Sequence, residues 1–103
     1  MNNGEITIPV RATHPGEILR EELRERGIGQ EEFARKIDME TFVFDDFING
    51  RRDFDEKFAK KLENHLGIPY TIWMNLQNGY NEDVKAIEER NSQKKLKENK
   101  GGQ

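Results

Sequence analysis

Apolar residues recur along this chain in short bursts at helical spacing, and glycines and prolines separate the bursts. The first burst, Pro15 to Arg26, places Ile18, Leu19 and Leu23 on one face. Pro15 suits a first turn, where its missing N–H leaves no bond unmade and its φ is preset. Gly27 suits a stop, because glycine enters the left-handed conformation without penalty. A second helix is expected from Gln30 to Ile37, with Phe33, Ala34 and Ile37 inward. A tight turn around Asp38-Met39 leads to a third, Thr41 to Ile48, with Glu40 near its N-cap and Phe44, Phe47 and Ile48 inward. Asn49-Gly50 favours a left-handed turn and ends it. The fourth follows Asp55, a good N-cap, and carries Phe58, Ala59, Leu62 and Leu66. Gly67 closes it and Pro69 forbids continuation.

The fifth helix begins near Thr71 and extends to about Arg90, with Trp73, Leu76, Tyr80, Val84 and Ile87 at heptad-like spacing. That seam is longer than one small domain needs to cover. Its second half, Val84 and Ile87, is expected either to form a dimer or partner surface or to pack back on the first helix. Residues 1–13 form a short arm. Ile6, Ile8 and Val10 alternate with polar or small residues, which allows a short strand or extended segment cut at Pro9, or a frayed end. Residues 91–103 are polar, lysine-rich and end in Gly-Gly-Gln, the composition of a disordered tail. The expected architecture is therefore an all-α domain over residues 14–90, with an arm before it and a tail after it.

Composition narrows the function classes. At 103 residues the chain holds one domain and one modest core. No apolar run approaches the roughly 20 residues of a membrane span, and Met1-Asn2-Asn3-Gly4-Glu5 lacks the basic-then-apolar order of a secretory signal. Cysteine is absent, which removes disulfide and thiolate chemistry. A cytoplasmic protein is expected. The two histidines, His14 and His65, lie far apart in no metal-ligand spacing, and no phosphate loop or nucleophile elbow occurs. No enzyme activity and no cofactor are expected. His14 is better placed to support the start of the first helix than to catalyse. Carboxylates interleaved with arginines, as in Glu22–Arg26, fit solvated helix faces.

Net charge is −3, too small to signal a polyanionic partner, but its distribution is uneven. Pro15 to Gly50 holds ten acids against five bases, whereas Arg51 to Lys61 holds five bases against three acids. The negative side lies near the third helix.

Two consecutive helices joined by a short turn, here the second and third, have helix-turn-helix spacing. The ordered set His14-Pro15-Gly16-Glu17-Ile18-Leu19, Gly27-Ile28 with Gln30, Phe33 and Ala34, Asn49-Gly50-Arg51-Arg52, Leu62-Glu63 with Leu66-Gly67, and Trp73 with Asn75-Leu76-Gln77 and Tyr80 resembles the HigA-type antitoxins. These belong to the Xre/Cro-like helix-turn-helix superfamily, and the resemblance covers roughly residues 13–90. It implies a five-helix, lambda-repressor-like fold. It further implies a homodimer that binds operator DNA to repress its own operon, and a cognate RelE-like, ribosome-dependent mRNA-cleaving toxin that the chain silences. Carried onto this sequence, the family's DNA-facing positions are Gln30, Glu40, Thr41, Phe42, Asp45, Asp46, Asn49, Arg51 and Arg52. Gln30 would bond a phosphate or a base edge, Arg51 and Arg52 would neutralise phosphates, and Asn49 would bond a phosphate or simply form the turn.

The third helix departs from the family pattern, which has polar or basic residues where this chain has Glu40, Asp45 and Asp46. A carboxylate about 7 Å from one phosphate costs roughly 0.6 kcal/mol at water's dielectric. Several phosphates would raise that to about a few kcal/mol, against a specific-binding margin of about 4–10 kcal/mol. A carboxylate can also accept a hydrogen bond from cytosine N4. Retained operator binding and a protein-interaction module of the same fold are both compatible with this helix. Phe42, beside Val43 and Phe44, is expected to pack sideways into the core; a thymine methyl or a protein partner are its other possible neighbours.

Overall fold

The computed structural model describes residues 11–101, and their side chains as far as Ser92. The alternating segment Ile6, Ile8 and Val10 lies outside the described residues. Five helices follow in order: α1 (Pro15–Arg26), α2 (Gln30–Lys36), α3 (Thr41–Ile48), α4 (Glu56–Leu66) and α5 (Tyr70–Gly101). No strand occurs among the described residues. α2 packs on α3, α4 on α5, and α1 against both α3 and α5.

α1 and α4 begin and end where the sequence provides caps. His14 caps α1: its Nδ1 accepts the Gly16 N–H at 2.9 Å. Asp55 caps α4 by accepting the Phe58 N–H at 2.8 Å. Gly27 closes α1 with φ 71°. The turn between α2 and α3 is made without glycine. Asp38 takes φ 60°, a conformation whose cost its short polar side chain reduces. The Met39 N–H returns to the Ala34 carbonyl at 2.9 Å, and Lys61 Nζ donates to the Ile37 carbonyl at 2.9 Å, so the carbonyls at the end of α2 are occupied. Arg26 does the same for α4, donating to the Leu66 carbonyl at 2.9 Å.

The core is built from aromatic rings. Phe47 stacks on Phe58 with centroids 3.8 Å apart and planes 4° from parallel. Phe54 stands edge-on to both, at 5.7 Å and 4.8 Å. Phe33, Phe44 and Trp73 complete the group, each at most 1 % exposed. Each such burial contributes about 2 kcal/mol from area alone.

Three expectations are corrected here. Ile18 does not join the buried stripe of α1 and is 37 % exposed. Pro15, Gly16, Leu19 and Leu23 are the residues turned inward, and Ile18 lies about 100° round the helix from Leu19, on the side away from Gly16. Phe42 does not pack into the core, because Phe44, Phe47 and Ile48 already fill the inward arc of α3. Trp73 is a core residue and offers no surface to a partner. The helical backbone of α5 also runs past Arg90 to Gly101. Side chains 88–92 are exposed, and Ile87 is the last half-buried residue before them. Lysine- and glutamate-rich sequence extends an existing helix at little cost.

Gly16 marks the closest approach in the fold. A Cβ there would sit 2.5 Å from the Ile48 carbonyl oxygen and collide with that of Phe47, both backbone atoms at the end of α3. Gly16→Ala is therefore expected to destabilise the protein by about 3 kcal/mol, read as a lower urea midpoint. An unchanged midpoint would mean that α1 and α3 are not in this contact.

Candidate nucleic-acid interface

α3 has eight residues, and its inner arc holds Phe44, Phe47 and Ile48. Helical periodicity then places Phe42, Asp45, Asp46 and Asn49 in one outward row at i, i+3, i+4 and i+7. Phe42, at 67 %, is more exposed than the other large exposed apolar side chains, Ile72 at 48 % and Ile18 at 37 %. Asp45 and Asp46 are half-buried, as is Thr41 at the edge of the row, and Glu40 is exposed.

The acids of this face are not equivalent. Asp46 holds Arg51 Nε at 3.0 Å and lies 4.0 Å from Arg52 Nη2. The Arg52 guanidinium also lies over the Phe47 ring, 5.5 Å from its centroid. Glu40 and Arg35 line one open depression at the α2–α3 turn. Asp45 has no ion pair among the described residues. The arginines and the acids, expected to act separately, are thus partly joined, and the repulsive field of α3 is smaller than three independent carboxylates would give.

Arg20 was not among the expected site residues. Its Nη2 donates to Asn49 Oδ1 at 2.6 Å, and it lines an open depression with Gln30 at the α1–α2 junction. The structure therefore joins Arg20 to Asn49 and brings it beside Gln30, and joins Arg51 and Arg52 to Asp46. Arg20 gave no signal in the sequence, since it lies on a solvated face of α1, 29 residues from Asn49. Gln77 was also missed as a positioning residue. It is buried, its Oε1 accepts the Phe54 N–H at 2.7 Å, and its Nε2 donates to Asn81 Oδ1 at 3.0 Å. That bond fixes the segment that follows the two arginines.

Of the expected partner row on α5, Leu76 is half-buried against the core and Tyr80 meets the His14 ring edge-on at 4.8 Å. Val84 and Ile87 line a shallow groove with Tyr80, Arg11 and Ala12. No helix among the described residues is long and apolar enough to cross a membrane.

Burial pushes the His14 imidazole below its ordinary value of 6.5, outweighing the opposing pull of exposed Asp53, 4.0 Å from Nε2. Its Nδ1 accepts the capping bond, so protonation there would break the cap. The unfolded chain binds this proton more readily than the fold does. The associated stability is therefore complete above about pH 6.5 and declines as pH falls through that value toward the lowered one. The urea midpoint is expected to fall between about pH 7 and about pH 5, and His14→Asn, which keeps a capping oxygen, to flatten that decline. An identical slope in the variant would remove His14 as its source.

No family model matches the chain. The HTH-type transcriptional regulator YddM of Escherichia coli K12 is 30 % identical over 66 residues, which is 64 % of this chain and 70 % of that protein. The antitoxin HigA of Pseudomonas aeruginosa, solved with the higBA promoter, is 31 % identical, with a TM-score of 0.70 over 81 % of this chain and 90 % of that one. An addiction-module antidote protein of the HigA family from Coxiella burnetii is 29 % identical, with a TM-score of 0.71 over 86 % and 95 % of the two chains.

Proposed function

The chain belongs to the HigA-type antitoxins of the Xre-like helix-turn-helix family, and from that premise we propose that it is a dimeric, operator-binding autorepressor that neutralises a RelE-like, mRNA-cleaving toxin. The observation that carries the operator half is the set of guanidiniums at the C-terminal end of α3. Arg51 and Arg52 sit on Asp46 and Arg20 sits on Asn49, a spacing suited to phosphates flanking a groove. The relative from Pseudomonas aeruginosa was solved with promoter DNA, which supports the same assignment. In this reading Gln30, Thr41, Phe42, Asp45 and Asn49 approach the DNA between those cations. Val84 and Ile87 on α5 supply the two-fold contact, which sets the half-site spacing.

One observation favours a second reading. Asp45 is unpaired among the described residues, so a protein partner with a basic surface would fit this face without the phosphate penalty. Gel-shift titration with the DNA upstream of the gene separates the two. Operator binding predicts a salt-sensitive shift in the nanomolar range. Arg51→Ala is expected to weaken it roughly tenfold and to lower its salt slope by about one. Asp45→Asn is expected to strengthen non-specific binding more than Asp46→Asn does, because Asp46 is already paired. Ile87→Asp is expected to sediment as a monomer and lose the shift. No shift at low salt would leave only the protein-interaction reading.

The acidic balance from Pro15 to Gly50 favours a basic toxin. Co-expression with the neighbouring gene's product is expected to give a complex that no longer cleaves mRNA. Cleavage undiminished by excess antitoxin would overturn the toxin assignment.

A further inference from the structure

Phe42 is the second residue of α3, an element whose N-terminal residues face base edges when a helix-turn-helix docks in the major groove. An apolar ring 67 % exposed at that position is kept out of the core by packing that is already complete without it. It therefore contributes nothing to the aromatic stack and leaves a large apolar surface in water. The charge pattern fixes which way this end of α3 can face. The cations gather at its C-terminal end, on Asp46 and Asn49. The N-terminal end carries Glu40 at its cap and no cation, and Asp45, midway along the helix, is unpaired among the described residues. Carboxylates are repelled by the strands and accepted only at base edges, where cytosine N4 is a donor. The N-terminal end of α3 thus belongs over the centre of the groove, with the arginines toward its walls. The one apolar group that base pairs present in the major groove is the thymine C5-methyl.

We infer that Phe42 is a specificity-determining residue that reads a thymine methyl in each operator half-site. The inference rests on the operator reading above and adds the base to it. It also accounts for a phenylalanine in a row that is otherwise acidic and amide: an aromatic face selects for a methyl group and makes no demand on hydrogen bonding.

The test uses the full-length chain and a duplex selected by it from a random-sequence library. Thymines in the selected half-site are replaced one at a time by deoxyuridine, which lacks only the methyl group. One position is expected at which the replacement weakens binding by about three- to fivefold, the effect of leaving one methyl group unburied. Phe42→Ala is expected to bind the thymine duplex that much more weakly and to bind the thymine and uracil duplexes equally. Its thermal melt is expected to match that of the unsubstituted chain, because the side chain lies outside the core. Equal binding of thymine and uracil duplexes at every position by the unsubstituted chain would overturn the inference while leaving operator binding intact. So would a Phe42→Ala variant that keeps the discrimination. A variant that loses the toxin and retains full DNA affinity would assign the ring to a protein partner and overturn it as well. Selection that recovers no duplex would overturn the operator reading and this inference together.

Discussion

An eight-residue helix is not stable in water by its own hydrogen bonds, so α3 exists because its inner arc is held elsewhere. Phe44, Phe47 and Ile48 are the hold. Phe47 lies flat on Phe58 of α4, Phe44 meets Phe33 of α2 and Phe58, and the last carbonyls of α3 rest on Gly16 of α1. Three helices thus fix the rotation of a fourth. Once that rotation is fixed, the outward row of Phe42, Asp45, Asp46 and Asn49 follows from helix geometry alone. The chemistry of the surface is a consequence of which side is buried.

The acidic character of α3 looks prohibitive for a polyanionic ligand when its residues are counted as independent charges. In the fold they are not independent. Asp46 and the two arginines form one group, whose field at a phosphate is closer to that of a net cation than to that of a carboxylate. Such exposed pairs add little to stability, so exchanging the carboxylate for a phosphate oxygen costs little. Glu40, at the N-cap, has no ion pair among the described residues, the nearby Arg35 lying 3.9 Å from Glu31 instead. What remains is Glu40 and Asp45, and on the operator reading two acids would bear on base preference as well as on affinity.

The boundaries of α1 to α4 were legible because each is written locally. Pro15, Gly27, Asp55, Gly67 and Pro69 act on their own turn, and the apolar spacing of α1 to α4 gives the inward faces with the single exception of Ile18. What was not legible depends on pairs distant in sequence. Phe54 lies in a loop without periodicity, and nothing local marks it as a core ring. Gln77 looks like one polar residue among many until the Phe54 N–H arrives from 23 residues away. The clamp on Asp46 needs the chain to turn back after Gly50, and Arg20 needs α1 to cross α3. Phe42 was misplaced for a related reason. Hydrophobicity alone assigns it to the core, whereas the room available inside is set by three neighbours that had already taken it.

The candidate interface is therefore not confined to the two helices that name its motif. The segment carrying Arg51 and Arg52 is pinned at both ends by parts of the chain that do not touch it in sequence. At one end Gly50, with φ 77°, lies against the His14 ring, which in turn meets Tyr80 of α5. At the other, Phe54 is packed beneath Phe47 and bonded through its N–H to Gln77 of α5. Both anchors lie on consecutive turns of one helix face, Gln77 and Tyr80, and the next turn along that face carries Val84. A contact on α5 with a second copy of the chain, as proposed above, would therefore bear on the same packed unit that positions the arginines. On the proposed function, one helix would set both the geometry of the loop offered to phosphates and the geometry of the two-fold.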